Sequence, residues 1–317
     1  MYDVIIIGSG PAGFTAGIYA ARREMKALII GKETGGQLIW AAEIENYPGF
    51  KKIQSFELIN NMREQVVNLG VETKNSEVKE IKKAKDLFIL KTEKEEHKAK
   101  TVIIAMGLSP RRLAIPGEER LTSKGISYCA NCDGPFYKGK TVAVIGGGNS
   151  ALDAAEVLSK IAQKVYLVHR RNEFRGFEAL VEEVKAKENI ELVLNSEVVE
   201  IMGADKLEKI KMKNVKSAEE KEINLDGLFI EVGRIAHTDL VGDLVKRDEK
   251  DQIIVDAKAQ TSTPGVFAAG DVTNSEFKQI TIACGQATIA ALSAYQYLQL
   301  KSGGSANIIL DRSAPKA

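Results

Sequence analysis

Cysteine is scarce in this chain, with three residues among 317: Cys129, Cys132 and Cys284. That is too few for the disulfide framework of a secreted domain, so a C-x-x-C pair here points to redox or metal chemistry in a reducing compartment. Histidine is equally rare, and His97, His169 and His237 are scattered. A structural zinc site needs about four ligands and no second paired motif exists, so no metal is expected. An excess of one charge is also lacking, since 44 Lys and Arg face 43 Asp and Glu for a net charge of +1. Such a balance gives no electrostatic reason to expect nucleic acid or an acidic membrane surface as partner. No apolar run approaches the ~20 residues of a membrane span. No basic segment with an apolar core after it opens the chain, so no signal peptide is expected and the expected location is cytoplasmic.

What is present repeats. The length suits two ordinary domains. Tyr2 to Ile7 is nearly all apolar, as a strand buried on both faces of a parallel sheet requires. Gly8-Ser9-Gly10-Pro11-Ala12-Gly13 follows, then an Ala-rich helical run from Phe14 to Arg23 and a second strand from Lys26 to Ile30. The pattern restarts at Thr141 to Ile145, turns at Gly146-Gly147-Gly148-Asn149-Ser150-Ala151, runs helical through Ile161 and ends in Lys164 to Val168. In such a turn the first glycine allows a tight bend, the second lets a pyrophosphate approach the backbone, and the third lets helix and strand pack closely. A strand before each turn and a helix after it predict two dinucleotide-binding βαβ units in an α/β fold. A third signal, Gly270-Asp271, ends a short strand ahead of an apolar helix from Thr281 to Leu300.

The two copies differ at the second strand. In the later copy it ends in His169-Arg170-Arg171, with Arg175 one turn further. Cations there suit a 2′-phosphate, which reads as NADPH rather than NADH. In the earlier copy it ends in Ile30-Gly31-Lys32-Glu33, with Glu33 the nearby carboxylate. A dinucleotide is expected there, and these residues leave flavin and nicotinamide open. Cys129-Ala130-Asn131-Cys132-Asp133 precedes the second turn. A C-x-x-C pair that opens and closes as a disulfide stores two electrons, and the shortage of further ligands favours redox use over zinc. Asp133 is suited to move a proton to or from a leaving thiolate; the structural alternative is a turn residue ahead of Gly134-Pro135. Cys284, in an Ala-rich helix, reads as a small buried hydrophobe.

Over essentially its whole length the chain resembles the low-molecular-weight thioredoxin reductases, which are FAD- and NADPH-dependent homodimeric flavoproteins. Gly8, Ser9, Gly10, Pro11, Ala12 and Gly13 are similar to that family's FAD pyrophosphate turn. Gly31-Lys32-Glu33, Gly35-Gly36-Gln37-Leu38 and the stretch Glu45-Asn46-Tyr47-Pro48-Gly49 resemble its flavin-contacting segments. Gly270-Asp271, continuing to Lys278-Gln279-Ile280, resembles the segment along the ribityl chain and isoalloxazine edge. Gly146, Gly147, Gly148, Asn149 and Ser150, with His169, Arg170, Arg171 and Arg175, resemble its NADPH site. Three positions depart from the pattern. Ala105-Met106-Gly107 stands where Ala-Thr-Gly is usual, Gly233-Arg234-Ile235-Ala236-His237-Thr238 where Gly-x-x-Pro-Asn-Thr is usual, and Pro135 where some members place Phe.

The resemblance implies two Rossmann-like, three-layer ββα domains. An NADPH domain of residues 115–241 carries the dithiol and is inserted between the two parts of an FAD domain, 1–114 and 242–317. It implies that Cys132 faces the flavin, Cys129 attacks the partner disulfide and Asp133 is the acid–base. It also implies rotation of one domain between half-reactions, with hinges near Leu113 and Asp239, a homodimer, and thioredoxin or a thioredoxin-like protein as partner. Gly134-Pro135 and the run from Lys278 to Gly285 also resemble the flavoprotein of alkyl hydroperoxide reductase systems, although the basic cluster is out of place for an NADH user. A ferredoxin–NADP reductase-like flavoenzyme shares the two-dinucleotide plan and needs no dithiol.

Overall fold

The computed structural model describes residues 1–40 and 43–303. The chain divides into two compact units, one of Met1–Leu38, Phe56–Leu108 and the chain from Ala236 onward, the other of Ile39–Ser55 and Ser109–Ile235.

The first unit is built on a seven-stranded sheet. Tyr2–Ile7 lies between Ala27–Gly31 and Glu96–Ile104, parallel to both, and Glu72–Asn75 extends the sheet beyond Ala27–Gly31. The long strand Glu96–Ile104 forks. Its first residues pair antiparallel with Leu87–Thr92, Phe88 opposite Ala99, while its last pair parallel with Val266–Ala268, Val266 opposite Val102. Val4, Ile5 and Ile6 are fully buried, as a parallel strand covered on both faces demands. The helices Pro11–Arg22 and Ile280–Lys301 pack against each other, and most of their buried positions are small: Ala16 and Ala20 beside Phe14 on one, Ala287, Ala290, Ala291 and Ala294 on the other.

The second unit holds a five-stranded parallel sheet in the order Ile126–Ser127, Gly227–Ile230, Thr141–Ile145, Lys164–Val168, Ile190–Val193. Alternate residues of Thr141–Ile145 feed opposite cores. Val142 and Val144 pack with Ala151, Leu152, Ala155 and Leu158 of the helix Asn149–Ser159. Ala143 and Ile145 pack with Val198, Ile201 and Ile210 of an antiparallel ribbon formed by Ser196–Met202, Lys209–Asn214 and Glu220–Asn224. Ribbon, sheet and helix make the ββα layering expected from the sequence, and the fold is a mixed α/β one with two Rossmann-like units.

Two local devices fix the approach to the dithiol. Ser109–Pro110 pairs antiparallel with Arg234–Ile235. Glu118, only 2 % exposed, accepts the Leu113 and Ala114 N–H groups and the Tyr128 hydroxyl, so the residue before Cys129 is anchored from its side chain. Among the described residues no helix is long and apolar enough to cross a membrane, and no group of three or more His, Cys, Asp or Glu is placed to hold a metal.

Candidate functional site

At Gly8 the chain leaves its strand with φ +116°, and a Cβ there would lie 2.2 Å from the Ala105 carbonyl oxygen. Gly13 excludes a side chain as strictly, since its Cβ would fall 1.8 Å from the Gly8 carbonyl oxygen. Gly10 is different: the nearest atoms to a Cβ there, Gly35 O and Gly36 Cα, are 3.8 Å away. The chain itself thus accounts for the first and third glycines and leaves the middle one open to an external group. Gly10 also caps the helix Pro11–Arg22 without any side-chain bond, so the first amides remain available to an anion. This is the cradle that a dinucleotide pyrophosphate requires.

Distant segments converge on this turn. The Gly35 N–H donates to Ser9 O at 2.7 Å, Ser9 Oγ donates to Glu33 O at 2.8 Å, and Gln37 Nε2 donates to the Asp271 carboxylate at 2.6 Å. Gly31 is packed so tightly that a Cβ would lie 2.2 Å from Ser9 Oγ. A Cβ at Gly107 would lie 3.8 Å from Gln37 Nε2, and one at Gly270 3.0 Å from the Ala12 methyl. Lys278 is used internally, its Nζ donating to Gln252 Oε1 and to the Asp271 and Thr273 carbonyls. Gln279 caps the long helix that begins at Ile280. Lys32 and Glu33 are exposed, Lys32 Nζ lying 3.6 Å from the Glu77 carboxylate. The flavin-type residues belong to the first unit except the stretch from Glu45 to Gly49, Asn46 among them, which lies in the second.

The second turn repeats the logic. Gly146, at φ +152°, could not carry a Cβ, which would sit 2.4 Å from the Glu231 carbonyl oxygen. Gly148 would meet nothing within 4 Å, and it caps the helix Asn149–Ser159 with no side-chain bond. The loop carrying Arg175 is folded onto this turn: the Arg175 N–H donates to Gly147 O at 2.7 Å, and the Phe177 N–H donates to Asn149 Oδ1 at 2.8 Å. Arg170, Arg171, Arg175 and Ser150 are exposed.

His169 stands apart from the arginines. Its ring is buried against Gly147, where a Cβ would fall 2.2 Å from Cε1, and it stacks on Phe174 with centroids 5.5 Å apart. Burial pulls its pKa below the usual histidine value, outweighing the bond to Glu173 O, and Arg170 and Arg175 lower it further. At neutral pH it is therefore an uncharged floor beneath the turn rather than a fourth cation.

Cys129 and Cys132 form a disulfide with Cα atoms 5.3 Å apart, and both are half-buried. Cys129 caps the short helix Ala130–Asp133. The Ser127 hydroxyl donates to an Asp133 carboxylate oxygen at 2.6 Å and accepts the Cys129 N–H at 3.1 Å, tying carboxyl and dithiol together. The other Asp133 oxygen is buried without a partner. Burial pushes the Asp133 pKa up, against the opposing effect of Ser127, which suits a group that holds a proton for a sulfur. Two groups escaped the sequence reading. Ser127 offers no pattern to find it by, whereas Glu231 is a lone carboxylate at the end of the wholly apolar buried strand Gly227–Ile230. Cys284 is half-buried and lies outside the disulfide.

Asp133→Asn is expected to slow disulfide turnover by about 10²-fold and to raise Tm at neutral pH. A carboxyl whose pKa is raised on folding binds its proton more tightly in the folded state, so wild-type stability falls as pH rises above the ordinary carboxylate range. Asparagine has no proton to lose and its variant lacks that fall. Thermal melts of both proteins between about pH 4 and 8 test this, and parallel curves would refute a raised pKa at Asp133.

The family model for pyridine nucleotide-disulphide oxidoreductases matches residues 2–287. The thioredoxin reductase of Mycolicibacterium smegmatis is 38% identical over 301 residues, covering 94% of this chain and 97% of its own. Among solved structures, the thioredoxin reductase of Streptococcus pyogenes MGAS5005 is 41% identical at a TM-score of 0.90, covering 95% of this chain and 99% of its own. That of Lactococcus lactis in its FR conformation is 43% identical at a TM-score of 0.67, covering 94% and 99%. With glycine turns open at their middle positions and a disulfide tied through Ser127 to the Asp133 carboxyl, the chain belongs to the pyridine nucleotide-disulphide oxidoreductase family, among its thioredoxin reductases.

Proposed function

We propose that the chain reduces the disulfide of thioredoxin or a thioredoxin-like protein through Cys129 and Cys132, with FAD and NADPH as its cofactors. The observation that carries this reading is the Cys129–Cys132 disulfide, bonded through Ser127 to a buried carboxyl, in the unit that presents the open turn at Gly148. FAD would be held at Gly8 to Gly13, with Gly31 to Leu38, Gly107, Gly270 and Asp271 around it. NADPH would be held at Gly146 to Ser150, with Arg170, Arg171 and Arg175 on its 2′-phosphate and His169 packed beneath the turn. When bound, the flavin supplies a two-electron carrier between the nicotinamide and the dithiol.

The chain's own part is thiol chemistry. The Cys129 thiolate attacks one sulfur of the partner disulfide, forming a mixed disulfide and releasing a partner thiolate. Cys132 then attacks Cys129 Sγ, which re-forms the Cys129–Cys132 bond and releases the second partner sulfur. The partner gains two electrons and the dithiol loses them. Each thiolate that leaves needs a proton, which Asp133 is placed to hold. Pro135 is exposed, and the half-buried Phe136, with Lys52 Nζ 5.4 Å from its ring centroid, offers an aromatic element for docking.

The reading includes an NADPH domain at residues 115–241 within an FAD domain, rotation between half-reactions about the two crossovers, a homodimer and a cytoplasmic location. An NADPH-driven insulin-reduction assay across a panel of thioredoxin-like proteins tests cofactor, chemistry and partner together. Purified protein that is colourless and gains no activity with added FAD would overturn it.

The exposed arginines predict the nucleotide preference. A charge-assisted phosphate bond contributes about 1.5–3 kcal/mol, so replacing Arg170 and Arg171 with Ala is expected to lower kcat/KM for NADPH about 10²-fold. NADH, which has no 2′-phosphate, should be used about as well as by the wild type. Equal losses with both nucleotides would remove the arginines from the 2′-phosphate site.

A further inference from the structure

The segment from Arg170 to Phe177, which carries the three arginines, has no regular secondary structure. Arg170, Arg171 and Arg175 are exposed, so packing does not fix their side chains. Where the guanidinium groups stand is therefore set by the tethers on the segment's backbone. Toward its start the Arg171 carbonyl accepts the Asn195 N–H at 3.1 Å, and the Glu173 carbonyl lies 3.1 Å from His169 Nε2. Toward its end two bonds run to the glycine turn. The Arg175 N–H donates to Gly147 O at 2.7 Å, backbone to backbone, and the Phe177 N–H donates to the side-chain oxygen of Asn149 at 2.8 Å. Between these two bonds Gly176 is pressed onto the helix Asn149–Ser159, where a Cβ would fall 2.2 Å from Leu152 Cδ1 and 2.8 Å from Asn149 Oδ1. Phe177 precedes the helix Glu178–Lys185, so its N–H has no partner within that helix. Its ring is 73 % exposed, and the residue is held by its backbone rather than by packing.

We propose that Asn149 is a positioning residue for nucleotide selectivity. Its amide oxygen holds the arginine segment against the turn, and so sets the arginines at the distance from the pyrophosphate cradle where the 2′-phosphate of the same nucleotide must lie. The physical basis is the fixed span of the ligand. Pyrophosphate and 2′-phosphate hang from one ribose, so the gap between them varies little. A guanidinium–phosphate bond depends on distance and angle, and a segment already in place loses less freedom when the phosphate arrives.

The residue type suits the task. Asparagine accepts an N–H without bringing a negative charge beside two phosphates, whereas alanine would leave the Phe177 N–H without its acceptor. Asn149 is also the first residue of its helix, next to the open Gly148. One residue thus belongs to the pyrophosphate turn by its backbone and to the arginine segment by its side chain. The two phosphate subsites are joined there.

This rests on the second turn holding NADPH, and its test reads binding rather than turnover. NADP⁺ and NAD⁺ differ only in the 2′-phosphate. Both are titrated calorimetrically into oxidised, flavin-loaded protein, with NAD⁺ measured by displacement, and the quantity read is the ratio of the two Kd values. Wild type should favour NADP⁺ about 10²-fold. Asn149→Ala should cut that preference about tenfold, whatever it does to the two affinities together; a merely structural role would weaken both nucleotides alike and leave the ratio. Phe177→Pro withdraws the donor of the same bond at a residue whose φ of −61° proline accepts, and should cut the ratio likewise. Phe177→Ala, which keeps the N–H, should hold the wild-type ratio. Asn149→Asp, which keeps an acceptor, should stay within about threefold of it. A wild type without preference would overturn the NADPH reading and this inference with it. A wild-type preference that survives in N149A or in F177P, that is lost in F177A, or that N149D loses as fully as N149A, would overturn the role of Asn149 and leave the NADPH reading standing. N149A and F177P remove one bond from its two ends, so either suffices should the other fail to fold.

Discussion

Cys132→Ser is expected to lower NADPH-driven reduction of a thioredoxin-like protein at least about 10³-fold, and Cys129→Ser by a similar amount. Two groups that act as one unit lose nearly everything when either is removed. A serine hydroxyl forms no disulfide, so neither variant can accept two electrons at the Cys129–Cys132 pair. Reduction of ferricyanide by NADPH, which needs no thiol, should stay within about twofold of wild type in both. That contrast separates this enzyme from a ferredoxin–NADP reductase-like flavoprotein, for which the serine variants would keep their full physiological activity. The two variants also separate the thiols. In Cys132→Ser the remaining Cys129 attacks the partner and no neighbour resolves the product, so a mixed disulfide should accumulate. Mass spectrometry of the trapped complex should find the partner on Cys129. Trapping by Cys129→Ser through Cys132, and not by Cys132→Ser, would reverse the order of attack.

The two Rossmann-like units were legible because their signals are local. Tyr2–Ile7 and Thr141–Ile145 are short apolar strands, each running straight into a glycine turn and a helix, and that succession has few other readings. Strand order was not legible. Gly227–Ile230 lies beside Thr141–Ile145 through pairing across more than eighty residues, which no local pattern encodes. The ribbon Ser196–Met202, Lys209–Asn214 and Glu220–Asn224 escaped for another reason: its charged residues and half-buried faces blur the alternation that marks a strand.

The site divides in the same way. Glycines and cysteines declare themselves by spacing, and the fold gathers them as the spacing suggests. The sequence grouped His169 with three arginines as neighbouring basic residues, yet only the folded chain places its ring under Gly147 and strips its charge. Ser127 links Cys129 to Asp133 by bonds that require a strand end and a helix start to meet. Asn46 belongs by resemblance with the flavin segments but by compactness with the second unit. Sequence spacing reveals chemistry carried within a motif; chemistry shared between motifs depends on pairing that the spacing does not contain.

Gly13→Ala is expected to yield no folded flavoprotein, whereas Gly10→Ala should fold and lose FAD. At Gly13 the added methyl would lie 1.8 Å from the Gly8 carbonyl oxygen, a backbone atom that cannot step aside without moving the strand Tyr2–Ile7. The helix Pro11–Arg22 would have to lift from the sheet and its pairing with Ile280–Lys301 would be lost. At Gly10 the backbone is extended, φ −91° and ψ −172°, and the methyl would stay 3.8 Å from the nearest atom beyond its own chain neighbours. Alanine is a weaker N-cap than glycine by less than about 1 kcal/mol, so the apoprotein should melt within a few degrees of wild-type apoprotein. What the new methyl would obstruct is the approach of a pyrophosphate to the backbone, and the FAD content of purified Gly10→Ala should fall at least about tenfold. Its Tm should no longer rise with added FAD, because a ligand stabilises only the form that binds it. The second turn offers the matching control. Gly148, with nothing within 4 Å of a Cβ, should as alanine keep its FAD and lose NADPH turnover. A Gly10→Ala protein that retains full flavin would place the pyrophosphate elsewhere, and loss of flavin from Gly148→Ala would exchange the roles of the two turns.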